Sequence, residues 1–287
     1  MIAVAAAVLI LVLGAAEPAP AQETVHFPSN DADLIGGTPT TLSGVLFRPS
    51  GDGPFAAVVL LHGCGGLHDG KGRLVPRHDD WGRRLRDHGW VALLVDSFTP
   101  RGVREICTAK TRPVEPGRER ARDAYGALVY LQKQHFVRAD RIALLGWSNG
   151  GSTVLWTIGT DSHARPAGLA HDFRAAVAFY PGCRAVLASR SWATRIPLLM
   201  LVGEKDDWTP AAPCVDLAAR AKHAGPAVEV VTYPGAFHYF DAPDVPLRVR
   251  QNIASTKSGT ATIGTDPVAR ADTIQRVPAY LAARLAP

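Results

Sequence analysis

Short, nearly continuous apolar runs alternate along the chain with longer segments of helical character. The runs Leu42–Phe47, Phe55–Leu61, Trp90–Val95, Arg141–Gly146, Ala175–Tyr180, Pro197–Val202 and Val228–Tyr233 read as strands. Several, such as AAVVLL and RIALLG, lack the in–out alternation of a strand with one wet face, which is the pattern of strands covered on both sides of a mostly parallel sheet. Between them, Asp79–His88, Pro116–Gln134, Gly150–Thr160, Ala211–Ala224 and Asp266–Leu285 read as helices. In the second, Ala121, Ala124, Leu128 and Leu131 recur near helical spacing. This βαβα order predicts an α/β fold with helices on both faces of a mostly parallel sheet. Two polar stretches rich in Gly, Pro or Thr, Ser97–Pro113 and Asp241–Asp266, fit neither pattern and are read as long loops of the kind that carry function.

Met1–Ala16 has a different character, almost purely apolar, and is followed by Glu17-Pro18-Ala19-Pro20-Ala21. Its length suits a secretory h-region and Ala19-Pro20-Ala21 fits a small-x-small cleavage rule, although no Lys or Arg precedes the run. A signal peptide over residues 1–21 is expected, cleaved after Ala21, with export to the periplasm or the exterior and one domain over residues 22–287. The run is shorter than a spanning helix needs, so no stable membrane span is expected in the mature form. Export would place the four cysteines where disulfides persist.

Of the 287 residues, 47% are apolar and 20% charged, which excludes a disordered chain. The net charge of +5 arises from 31 basic and 26 acidic residues with no basic block of five or more, so nucleic acid is not an expected partner. No C-x-x-C or H-x-x-x-H spacing occurs, and neither metal nor cofactor is expected.

The chemistry centres on Gly146-Trp147-Ser148-Asn149-Gly150. A strand-like run precedes this G-x-S-x-G and a helical one follows it, the setting of a nucleophile elbow. The hydroxyl of Ser148 would stand at a helix N-terminus, where free N–H groups favour developing negative charge. A serine needs a base to take its proton. Of the histidines after Ser148, only His238 sits just beyond the last strand-like run, and it is assigned as general base. The acid should follow the preceding strand, in Gly203-Glu204-Lys205-Asp206-Asp207-Trp208-Thr209-Pro210. Asp206 is favoured over Asp207, which could instead cap the following helix or pair with a base. Asn149 N–H is one expected oxyanion donor. The second is assigned to Cys64 N–H, with Gly65 as the alternative, in His62-Gly63-Cys64-Gly65-Gly66.

The segments HGCGG, DSFTPRG, GWSNGG, AFYPG, GEKDDWTP and GAFHYFDAP together resemble the dienelactone hydrolase family of the α/β-hydrolase superfamily. The resemblance implies an α/β-hydrolase fold and a catalytic Ser148–Asp206–His238, the Pro four residues after the acid favouring Asp206. Two departures stand out. Dienelactone-cleaving members use a Cys nucleophile, and an Arg that follows their catalytic His is absent from Tyr239-Phe240-Asp241-Ala242. The resemblance therefore implies a serine esterase acting on a small-molecule ester or lactone rather than on dienelactone itself. Arg101 and Arg104 are candidate binders of an anionic group, and Trp147, Trp208 and Tyr239 of an acyl group. The same fold implies a Cys183–Cys214 disulfide at one rim of the sheet, and a second, Cys64–Cys107, that would tether the 97–113 loop. A peptidase or acyltransferase would share these residues, and a binding protein that inherited the fold is the alternative of another class.

Overall fold

The computed structural model describes residues 22–222 and 225–286, so the expected signal peptide lies outside the described residues. Eight strands form one sheet: β1 (Glu23–Pro28), β2 (Thr41–Phe47), β3 (Phe55–Leu61), β4 (Val91–Asp96), β5 (Val137–Trp147), β6 (Ala176–Phe179), β7 (Leu198–Gly203) and β8 (Val228–Tyr233), in the order β1-β2-β4-β3-β5-β6-β7-β8. β2 runs antiparallel to both β1 and β4, and all pairings from β4 through β8 are parallel. This is the α/β-hydrolase fold expected from the alternating pattern.

The side chains of β3 explain why it reads as an unbroken apolar run. Ala57, Val59 and Leu61 enter one core layer, beneath α3 (Ala121–Gln132), α4 (Asn149–Ile158) and α6 (Ala212–Ala221). Val58 and Leu60 enter the other, beneath α2 (Pro76–Asp87) and α7 (Pro267–Leu285). A strand covered on both faces has no polar alternation to show. The direction of winding reverses at β3, which lies between β4 and β5. The loops leaving β3 and β5 therefore open a crevice at the carboxyl ends of the strands.

A third apolar cluster closes this edge from above. It joins Phe98, Ile106, Cys107 and Val114 to Trp208, Ile253, Ala261 and Ile263. The 241–266 stretch contributes a two-stranded ribbon, β9 (Arg248–Arg250) with β10 (Ala261–Ile263). Both bridges are present, Cys64–Cys107 and Cys183–Cys214, spanning 43 and 31 residues. The 97–113 segment is accordingly fastened rather than loose: Ile106 N–H donates to Cys64 O at 2.8 Å, and Ala254 N–H to Cys107 O at 3.0 Å. Short helices α1 (Ala32–Ile35) and α5 (Arg184–Ala188), like β1, β9 and β10, go beyond the elements expected from sequence. The segment expected as one helix from Pro116 opens with a π turn, Pro116–Arg120, before α3.

Candidate active site

Ser148 sits between the end of β5 and the start of α4 with φ 54° and ψ −114°, a strained conformation for a residue with a side chain. Its N–H donates to Phe179 O at 2.9 Å, and its carbonyl accepts from Ser152 N–H at 2.8 Å. The flanking glycine is a steric requirement. A Cβ on Gly150 would lie 2.1 Å from Leu61 O, so only glycine lets α4 approach the end of β3 this closely. Gly63 is less confined, since a Cβ there would make ordinary contact with Ser148 Cβ at 3.6 Å. The β3 loop thus lies directly against the elbow.

His238 and Asp206 meet across the ends of β7 and β8. His238 Nδ1 lies 2.7 Å from Asp206 Oδ2, and both side chains are fully buried. The carboxylate is held on its other oxygen by the N–H groups of Trp208 and Thr209, each at 2.8 Å. Thr209 Oγ1 lies 3.0 Å from Asp206 Oδ2 and 3.1 Å from His238 Nδ1. With Nδ1 committed to this carboxylate, Nε2 makes no hydrogen bond. The ring is clamped by Tyr180 and Trp208, at centroid distances of 4.4 and 4.7 Å. Its backbone is tied to the ribbon, since Gly264 N–H donates to His238 O at 3.0 Å. Asp207, the alternative acid, turns away and accepts from Thr262 N–H and Oγ1 at 2.7 and 2.8 Å.

The β3 loop is locked by a neutral, fully buried histidine. His62 Nδ1 lies 2.7 Å from Gly63 O, and Nε2 accepts from Ser97 N–H at 3.3 Å. Burial and the neighbouring Arg120 cation push His62 well below the ordinary imidazole value, so the ring stays uncharged. Arg120 is itself buried, which pulls its guanidinium down to about 9 despite the nearby Asp123 and Asp96, and leaves it cationic at neutral pH.

Ser148 opens into a cavity of about 670 Å³. Its walls include Cys64, Cys107, Asn149, Trp156, Cys183 and Trp208. Of the expected substrate-binding residues, only Trp208 lies on this lining. Trp147 is fully buried in the core and donates its Nε1–H to Asp241 at 2.8 Å. Tyr239 is half-buried beneath the Arg77 guanidinium, whose Cζ lies 4.2 Å from its ring centroid. Arg101 does not face the cavity: it is shared between Asp31 and Asp123, each at 2.8 Å, and also donates to Ser97 O. Arg104 is exposed and also lies off the lining. The arginines that do reach the cavity are Arg112, Arg118 and Arg184, none of which carried a motif. Trp156 is a further site residue that no sequence motif marked, and Thr209 and Tyr180 stand within GEKDDWTP and AFYPG without a role expected of them. No group of three or more His, Cys, Asp or Glu arranged to hold a metal occurs among the described residues.

The profile of the dienelactone hydrolase family matches residues 42–284. A Bradyrhizobium protein described as a probable 2-oxo-3-(5-oxofuran-2-ylidene)propanoate lactonase is 27% identical over 208 residues, covering 68% of this chain and 77% of that protein. Among solved structures, esterase 2 of Thermogutta terrifontis phosphorylated by paraoxon superposes with a TM-score of 0.63 at 19% identity, over 93% of this chain and 96% of that one. A dienelactone hydrolase-like promiscuous phosphotriesterase from metagenomic libraries gives a TM-score of 0.60 at 20% identity, over 92% and 99%.

Proposed function

The chain belongs to the dienelactone hydrolase family, and on that premise we propose that it is an exported serine hydrolase that cleaves a small carboxylic ester or lactone through an acyl-enzyme. Ser148 Oγ attacks the carbonyl carbon while His238 Nε2 takes its proton. Asp206 keeps the imidazole proton on Nδ1 and stabilises the imidazolium without itself becoming protonated. The N–H groups of Asn149 and Cys64 receive the oxyanion. His238 returns the proton to the leaving alkoxide, and a water activated by the same nitrogen then releases the acid and frees Ser148. In a lactone the leaving alkoxide stays tethered to the acyl group, and the product is a single hydroxy acid.

The observation that carries this reading is the buried 2.7 Å His238–Asp206 bond. It leaves Nε2 unpartnered, in the same site as a serine held in a strained elbow conformation. An imidazole nitrogen left unpartnered by a buried carboxylate, with a strained serine opening on the same cavity that Trp208 and Thr209 line, has no evident use in a purely binding protein. Export is supported by the two disulfides and by the lack of any free cysteine among the described residues. The substrate panel should include five-membered unsaturated lactones, given the activity described for the Bradyrhizobium relative.

The test is a fluorophosphonate probe with a chromogenic short-chain ester. Ser148 should be the labelled residue, and Ser148→Ala should abolish turnover while the circular dichroism spectrum stays the same. Undiminished turnover by Ser148→Ala would overturn the assignment.

A further inference from the structure

Arg120 is a fully buried cation that forms no ion pair among the described residues. Its guanidinium instead reaches two neutral oxygens. Nη2 donates to His62 O at 2.7 Å, Nη1 donates to Asn149 Oδ1, and Nε has no partner. The guanidinium carbon lies 5.1 Å from the Phe98 ring centroid. Asp123 and Asp96 lie near enough to favour the cation but neither pairs with it directly, and a buried charge so incompletely paired costs several kcal/mol, so its placement calls for an explanation beyond packing. The two oxygens belong to the two segments that carry the oxyanion donors: His62 precedes Gly63-Cys64, and Asn149 follows the nucleophile.

We propose that Arg120 is a positioning residue that holds the two arms of the oxyanion site, the Cys64 arm and the Asn149 arm, in fixed mutual geometry. This inference rests on the reading of Ser148 as nucleophile. On the first arm, Arg120 fixes the His62 carbonyl, and the His62 ring in turn donates to Gly63 O. The Gly63–Cys64 peptide is planar and trans, so its N–H points opposite to its C=O. Anchoring Gly63 O therefore aims the Cys64 N–H. Accepting a hydrogen bond at that carbonyl also polarises the peptide and makes its N–H a better donor. On the second arm, the same guanidinium holds the Asn149 side chain and keeps its backbone N–H at the start of α4. The fork spans both arms because its donors diverge from one rigid plane, which an ammonium group does not reproduce. The π turn that ends at Arg120 is the local irregularity that brings this side chain between the arms, a recurrent use of such turns near functional sites.

The experiment compares Arg120→Met and Arg120→Lys with the unaltered protein. It uses a chromogenic ester and an aryl trifluoromethyl ketone, which forms a tetrahedral adduct on the serine. Loss of one oxyanion donor costs about a hundredfold to a thousandfold in kcat. A positioning role predicts that Arg120→Met loses about a hundredfold in kcat with KM within about threefold. Affinity for the ketone should fall by the same factor, and Arg120→Lys should lie between the two. Asn149→Ala severs one bond of the fork while keeping the backbone donor and the charge. Combined with Arg120→Met, it should cost no more than Arg120→Met alone. An unchanged kcat, an unchanged ketone affinity beside a lower kcat, or additive losses would each overturn the proposal. If Arg120→Met fails to fold, Arg120→Lys and Asn149→Ala decide by the same kcat–KM split and the same ketone readout. Fluorophosphonate titration of the unaltered protein keeps the two readings apart. Absence of labelling at Ser148 defeats the nucleophile assignment, whereas full labelling with wild-type kcat in a folded Arg120 variant defeats only the positioning role.

Discussion

Tyr180 donates its phenol proton to Asp241 Oδ1 at 2.5 Å while its ring packs against His238 at 4.4 Å. The same hydroxyl accepts from Arg77 Nη1 at 2.7 Å, and Asp241 also accepts from the indole N–H groups of Trp81 and Trp147 at 2.9 and 2.8 Å. Beneath the histidine therefore lies a buried polar network that includes a carboxylate and a guanidinium, linked through one phenol. Replacing Asp241 by Asn leaves the Arg77 cation without its balancing charge and should cost about 3 kcal/mol of stability. Tyr180→Phe keeps the ring under His238 but strands a donor and an acceptor, for a loss of about 2 kcal/mol. Urea denaturation of the two variants should rank them in that order.

Asp206 and Asp207 are adjacent in sequence but have different partners. Asp206→Asn should lower kcat by about ten thousandfold, the scale of losing the carboxylate that fixes the histidine tautomer. Asp207→Asn should leave kcat within about threefold, because that side chain serves only to hold Thr262 at the ribbon. Steady-state kinetics on the ester substrate distinguishes the two.

Thr209→Val removes a hydroxyl 3.0 Å from the Asp206 carboxylate while nearly preserving volume. The acceptor is a carboxylate, and a hydrogen bond to a charged group is worth about 2 kcal/mol, so kcat should fall about thirtyfold with KM little changed. Equal activity would show that the backbone N–H bonds suffice to hold the carboxylate.

His62 and His78 are both buried and neutral. Burial, with Arg120 beside the first and Arg77 beside the second, pushes each well below 6.5. The unfolded chain regains ordinary imidazoles, so below pH 6.5 it binds protons that the folded chain refuses. Stability should therefore be full above pH 6.5 and fall as pH drops below it, by up to about 1.4 kcal/mol per pH unit for each histidine. Thermal unfolding followed between pH 7.5 and 5, with His78→Gln as comparison, reads the slope. The variant should lose about half of it.

The two bridges close loops of 43 and 31 residues, and each should stabilise by about 4 kcal/mol in the chain-entropy view. Replacing both cysteines of a pair by Ser removes one bridge at a time. Both pairs should lose stability in calorimetry. Only loss of Cys64–Cys107 should also lower kcat beyond the loss of folded protein, because Cys64 carries an oxyanion donor in the proposed mechanism.

What could be read from the chain was whatever depends on local pattern. β3 and β5 announce themselves as apolar runs, and the elbow by the glycines that its steric crowding demands. The cystine pairs followed once the order of the strands was implied. β1 escaped because its alternation rests on only two inward residues, Val25 and Phe27, among polar neighbours. Arg101 was misplaced for a different reason. A loop arginine looks solvated until the fold brings Asp31 and Asp123 to it from distant parts of the chain. Arg120 and Thr209 were illegible in the same sense. Arg120 acts on partners 29 and 58 residues away, and Thr209 joins Asp206, three residues before it, to His238, 29 residues after it, a link no local spacing encodes.

Three of the four cystine residues line the cavity in front of Ser148. At those points the wall is set by covalent bonds rather than by loops that open and close. Selection by such a cavity works as a sieve: a molecule enters because it already has the right girth. Among esters of graded bulk, turnover should then stop sharply at a limiting size rather than taper, and warming the enzyme should do little to move that limit.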